Sequence, residues 1–144
     1  MAHRARLALL LAVGALALAP AGSMAGSGVK APKNTTYAGH TDRGGKLSVT
    51  VSGKSIQVLA IQFKCHDTVG HTSLQDVPLK KTSRGYKFGV DSFGIVSYDD
   101  GYPDENARVE VYGRFARGAR SAKGKLKVRA PRCGTGLLGF FIKR

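Results

Sequence analysis

This chain of 144 residues carries 23 Lys and Arg against 9 Asp and Glu, a formal net charge of +14. The length suits one domain large enough to bury a core, and the charge surplus favours anionic polymers or membrane surfaces without bearing on fold. The sequence has no closed Cys/His zinc pattern and no G-x-S-x-G nucleophile elbow, which removes the commonest local signatures of metal and serine chemistry.

Residues 1–25 read as a secretory signal peptide. Arg4 and Arg6 form a positive n-region, Leu7 to Ala19 is an uncharged Leu/Ala run, and small residues offer cleavage after Ala21 or Ala25. Pro20, Gly22, Gly26 and Gly28 make this stretch a poor continuous membrane span. The expectation is a secreted or extracellular protein, with no transmembrane segment once the leader is removed. Gly26 to Asn34, rich in Gly, Ser, Pro and Lys, reads as a flexible linker (26–34) ahead of a single domain over 35–144.

From Thr35 the dominant period is two. Lys46 to Val51 alternates, with Leu47, Val49 and Val51 facing inward, and Gly53-Lys54 suits a tight type II′ hairpin. The returning run, Ile56 to Phe63, is apolar on both faces, as expected of a strand covered on both sides. Residues 66–75 are polar and poorly patterned and read as a loop. Short strands are expected near Asp76–Lys80 and Tyr86–Val90, parted by the turn Thr82-Ser83-Arg84-Gly85, and again at Phe93–Tyr98.

An acidic, turn-rich loop follows from Asp99 to Asn106. Ala107–Ala116 should then place Val109, Val111, Gly113 and Phe115 on one face, with Glu110, Tyr112 and Arg114 on the other. After a turn at Arg117–Ser121 come strands at Ala122–Ala130 and Gly136–Ile142. The pattern predicts an all-β fold, an antiparallel β-sandwich or sandwich-like barrel of about eight or nine strands, preceded by a signal-peptide helix. The 19 glycines fit its many turns.

Cys65 and Cys133 are an even pair in an exported chain, which predicts one disulfide bond. The loop it closes is worth about 4 kcal/mol in the chain-entropy treatment. Cys65-His66-Asp67, with His71 nearby, contains metal-ligand types, but the spacing fits no closed site and the disulfide occupies the thiol. A Cys–His nucleophile is disfavoured because adjacent strand residues point to opposite faces. Asp99, Asp100, Asp104 and Glu105 offer clustered carboxylates of the kind Ca²⁺ takes, but they lack the spacing of a helical calcium loop; the plainer reading is a polar hairpin loop, with pairing to the basic face as one option. No metal, no cofactor and no catalytic residue is assigned.

The sharpest local feature is a basic ladder. Lys123, Lys125, Lys127 and Arg129 alternate with Gly124, Leu126 and Val128, so period two puts all four charges on one sheet face. A hairpin with the preceding strand adds Arg114 and Tyr112 to that face, and Arg117 and Arg120 sit in its turn. The expected anion-binding set is Arg114, Arg117, Arg120, Lys123, Lys125, Lys127 and Arg129. One tyrosine among cations is thin support for base stacking, and export argues against a nucleic-acid partner.

Tyr37-Ala38-Gly39-His40-Thr41, the Val-rich hairpin, Cys65 after a buried strand, Val111-Tyr112-Gly113-Arg114-Phe115 and Cys133-Gly134-Thr135-Gly136 resemble small secreted one-disulfide β-domain proteins of high-GC Gram-positive bacteria. Such proteins often carry an aromatic, frequently Trp, after the second cysteine, where Phe140 and Phe141 stand here. The resemblance implies the β-fold and the Cys65–Cys133 bond and carries over no catalytic residue. The expected role is a basic, non-enzymatic protein associating electrostatically with anionic cell-envelope or extracellular polymers. The alternatives are a small secreted hydrolase or inhibitor, or a structural module with no ligand.

Overall fold

In the computed structural model, which describes residues 28–144, the chain forms nine strands. These are β1 (Thr36–Thr41), β2 (Lys46–Ser52), β3 (Ser55–Cys65), β4 (Thr68–Pro78), β5 (Lys80–Thr82), β6 (Gly85–Tyr98), β7 (Glu105–Phe115), β8 (Ser121–Arg129) and β9 (Leu138–Lys143). The helix expected at residues 1–25 lies outside the described residues. Sheet order is β4-β3-β2-β1-β9-β8-β7-β6-β5, and a further β4–β6 pairing closes the ring. Eight strands thus make a closed antiparallel barrel rather than a two-sheet sandwich, and β5 is an extra strand laid against the start of β6. Closure removes the free edges that an open sheet would expose.

The alternating residues of β2 and β7 point as their period dictates: Leu47, Val49, Val51, Ala107, Val109, Val111 and Phe115 are all buried. Gly53-Lys54 forms the two-residue turn between Ser52 and Ser55, with positive φ at Gly53, as a II′ geometry requires. The interior is filled by side chains. Tyr37 meets Phe115 edge-on at 4.9 Å, Phe88 lies 5.6 Å from Phe115, and the buried Tyr37 hydroxyl donates to the Ala119 carbonyl at 2.8 Å. A filled barrel of this kind places any ligand on its outer face.

Many of the glycines lie outside turns. Gly39, Gly70, Gly89, Gly94, Gly113, Gly124 and Gly139 lie within strands. Phe63 is directly opposite Gly70, Phe88 opposite Gly113, and Phe140 opposite Gly124. In each pair the ring occupies the space a side chain on the glycine would need: a Cβ on Gly113 would stand 2.4 Å from the Phe88 ring, and one on Gly70 2.5 Å from the Phe63 ring. These pairs let three large rings share a narrow interior, a glycine supplying room for an aromatic across the strand.

The same device explains why residues 66–75 resemble a loop in sequence although they are mostly strand. His66-Asp67 make a tight turn, with positive φ at His66, and β4 starts at Thr68. Its inward positions are Gly70, Thr72 and Leu74, so one apolar side chain stands where three would announce a strand. β3 is likewise not covered on both sides. A bulge opposite Thr50/Val51 changes its phase, sending Ile56, Leu59, Ile61 and Phe63 inward and leaving Val58 and Ala60 on the outer face. The two short strands expected at Tyr86–Val90 and Phe93–Tyr98 are one 14-residue strand, β6, and the Asp76–Lys80 stretch spans the end of β4 and the start of β5.

Cys65 and Cys133 are bonded, with Cα atoms 5.8 Å apart, which joins the end of β3 to the loop before β9. The stretch before β1 lies along the barrel end. Lys30 N–H donates to the Arg117 carbonyl at 2.8 Å, Pro32 is buried, and Lys33 N–H donates to the Tyr37 hydroxyl at 3.1 Å.

Candidate functional site: a cationic track on the outer face

Strand register turns scattered basic residues into rows. Reading across the outer face from β2 to β5, the directly opposed residues are Lys46, His40, Phe141, Lys123, Arg114, Lys87 and Lys80. The row crosses seven strands, roughly 30 Å over the surface at about 4.8 Å per strand. It contains no acidic residue. The next row is Gly139, Lys125, Tyr112 and Gly89. Among the described residues, none of Lys87, Arg114, Lys123 and Lys125 forms an ion pair.

The other half of the ladder is different. Arg129 bonds both oxygens of Glu110 on β7, at 2.9 and 3.0 Å, and Arg108 makes a two-pronged contact with Asp91 on β6 at 2.7 and 2.8 Å. Lys127 stands directly opposite Glu110, whose carboxylate is taken by Arg129, and forms no ion pair of its own among the described residues. Hydrogen bonding to Arg108 holds the Asp91 carboxyl below its usual range. The face therefore divides into a neutralised part around Glu110 and Asp91 and an unpaired part around Arg114, Lys123 and Lys125. Arg117 and Arg120 lie at the barrel end, where their backbone carbonyls accept from Lys30 and Arg144.

The unpaired part borders an open groove of about 820 Å³, lined by His40, Asp42, Lys87, Tyr112, Arg114, Lys123, Lys125 and Phe141 among others. Tyr112 and Phe141 are 55 % and 53 % exposed. The Tyr112 ring fills the space above Gly89, and the Asp42 carboxylate fills the space above Gly139, accepting the Gly139 N–H at 2.7 Å. Lys46, Lys80, Lys87, His40 and Phe141 were not legible as partners of the ladder, because only cross-strand register brings them to it. Parity in the last strand held part of the signal: if Leu138, Phe140 and Ile142 face the core, Phe141 must face out.

A second groove, of about 810 Å³, continues past His40 over β1, β2, β3 and β4, with Ala38, Ser48, Ala60 and Ser73 on its floor. His71 lies on its rim, hydrogen-bonded to Asp99 at 2.7 Å and directly opposite Ser97. No hydrogen bond joins Ser97 to the imidazole among the described residues, and Asp99 is 59 % exposed. This falls short of a nucleophile aligned on its base by a sheltered carboxylate. No three His, Cys, Asp or Glu side chains are grouped to hold a metal among the described residues.

The acidic loop makes its contacts away from the basic ladder. Asp100 takes both ends of the Arg132 guanidinium, at 2.6 and 3.0 Å, while that guanidinium stacks on Tyr98 and Tyr102 at 4.8 and 4.3 Å. Glu105 accepts from the Tyr98 hydroxyl and from the Arg132 N–H. The loop is thus tied to the residue beside Cys133. Hydrogen bonding to Arg132 lowers the Asp100 carboxyl to about 2. With the folded value depressed, the contact contributes fully above the ordinary carboxylate range and fades as pH falls through about 2. The near-ultraviolet circular dichroism of the tyrosines is expected to persist through ordinary carboxylate titration and to fall only towards that lower pH. A loss complete at the ordinary carboxylate pKa would contradict the contact.

Among the described residues no helix is long and apolar enough to cross a membrane. No known protein family, no curated protein and no solved structure matches this chain, so its outer-face geometry carries the functional argument.

Proposed function

We propose that this is an exported, non-enzymatic protein that associates electrostatically with an anionic polymer of the cell envelope or extracellular space. The observation that carries this reading is the acid-free row of five cations, one imidazole and one aromatic ring running from Lys46 to Lys80. Like charges so close repel one another, so an unpaired row favours an anionic partner that offsets the repulsion. A row running from strand to strand follows the barrel's curvature. A flexible chain can stay in contact along it, whereas a flat surface meets only a few adjacent strands. The Cys65–Cys133 bond is compatible with an extracellular location.

Counterion release sets the test. A protein neutralising about four charges on a single-stranded polyanion should lose affinity with a log–log salt slope of about −3, which is roughly fifty- to sixtyfold for a fourfold rise in salt. Retention on an anionic polysaccharide matrix, measured as salt is raised, reads this directly. Retention that does not change with salt would refute the electrostatic proposal, and no retention even at low salt would favour a structural module with no ligand.

A further inference from the structure

We infer that the polymer is an acidic polysaccharide, whose sugar rings stack on Tyr112 and Phe141 while Lys87, Arg114, Lys123 and Lys125 take its carboxylate or sulfate groups; this rests on the polyanion function proposed above. A groove that gathers exposed aromatic rings beside a few charged groups has the composition of a ligand site. Here both rings lie on the cationic part of the outer face and line the same groove. Phe141 sits between His40 and Lys123, and Tyr112 sits between Lys125 and Gly89. Charge and ring surface therefore alternate at neighbouring positions. A polymer bearing charges alone would leave the rings unused.

The glycines and the one carboxylate sharpen the choice. Gly89 lets the Tyr112 ring lie low over β6, and Gly139 admits the Asp42 carboxylate into the groove. An acceptor carboxylate opposes a ligand made only of phosphates, but it suits a ligand that brings hydroxyl donors between its charges. Sugar rings meet all three demands, offering apolar C–H faces, hydroxyl donors and spaced anionic groups. Single-stranded nucleic acid shares the first and last of these and is the alternative that the experiment must separate.

The experiment uses the full chain without its leader and four probes of matched charge: a sulfated, uronate-containing oligosaccharide, linear polyphosphate, oligo-dT and phosphatidylglycerol vesicles. Tyr112→Ala and Phe141→Ala are each expected to weaken oligosaccharide binding about tenfold, the size of one stacking contact. Their salt slope and their affinity for polyphosphate should stay unchanged. Tyr112→Phe keeps the ring and should keep near-normal affinity, which separates stacking from any effect of the substitution on folding. No loss on the oligosaccharide, or an equal loss on polyphosphate, would overturn this inference while leaving the electrostatic function standing. Ring-dependent binding of oligo-dT that outcompetes the oligosaccharide would assign the groove to nucleic acid, and tighter binding to vesicles would assign it to lipid. Failure of the unaltered protein to bind any of the four would remove the parent proposal itself.

Discussion

Replacing Cys65 and Cys133 with alanine is expected to lower the unfolding free energy by about 4 kcal/mol. The two residues are 68 positions apart, so the bond constrains a loop that contains all of β4 to β8. Untying it restores that freedom to the unfolded chain, while the folded barrel keeps its other contacts. At about 4–8 °C per kcal/mol for a domain near this size, the melting temperature should fall by roughly 15–30 °C. Urea denaturation of the oxidised, reduced and Cys-free proteins separates the causes. The reduced and Cys-free forms should agree if the bond itself carries the effect. A loss below about 1 kcal/mol would show that the unfolded chain is already constrained by other means.

The second large effect concerns the division of the basic face. Replacing Lys87, Arg114, Lys123 and Lys125 with glutamine should reduce the log–log salt slope by about three and weaken polyanion binding roughly a hundredfold in moderate salt. Removing whole ion pairs, by Arg129→Gln with Glu110→Gln and Arg108→Gln with Asp91→Asn, leaves net charge unaltered and should change affinity less than about threefold, because those guanidinium groups are already engaged. A third variant, with Lys30, Lys33, Lys54 and Lys64 changed to glutamine, matches the first in net charge. Affinity measured by titration at several salt concentrations should place it between the other two. Equal losses from the first and third variants would mean that overall charge, not the track, drives association.

The fold was most legible where residue chemistry and strand period agreed. Leu47, Val49 and Val51, and later Val109, Val111 and Phe115, alternate with polar residues and face the core as that alternation requires. It was least legible where the interior uses glycine. Gly70 and Thr72 hold inward positions that a pattern of apolar residues cannot detect, and the reason for Gly70, the Phe63 ring on the neighbouring strand, lies across a turn. The site shows the same limit. Alternation alone places Lys123, Lys125, Lys127 and Arg129 on one face. Which of them remain available depends on Glu110, delivered by the register of β7 and β8. Phe141, Lys87 and Lys46 join the track for the same non-local reason. Local sequence described the charges, and long-range pairing chose their neighbours.

Closing the barrel by joining β1 to β9 has a consequence for the order in which the molecule can form. The seam at Ala38↔Lys143 through Thr41↔Phe140 unites the first strand with the last in chain order. Until β9 arrives, β1 and β8 present two bare hydrogen-bonding edges, and the chain must bring together segments separated by nearly the whole domain. Such distant pairing slows folding and prolongs exposure of strand templates to other copies. During folding the protein therefore remains open to mispairing until its final strand is delivered, and a surplus of positive charge helps to keep unfinished chains apart by mutual repulsion.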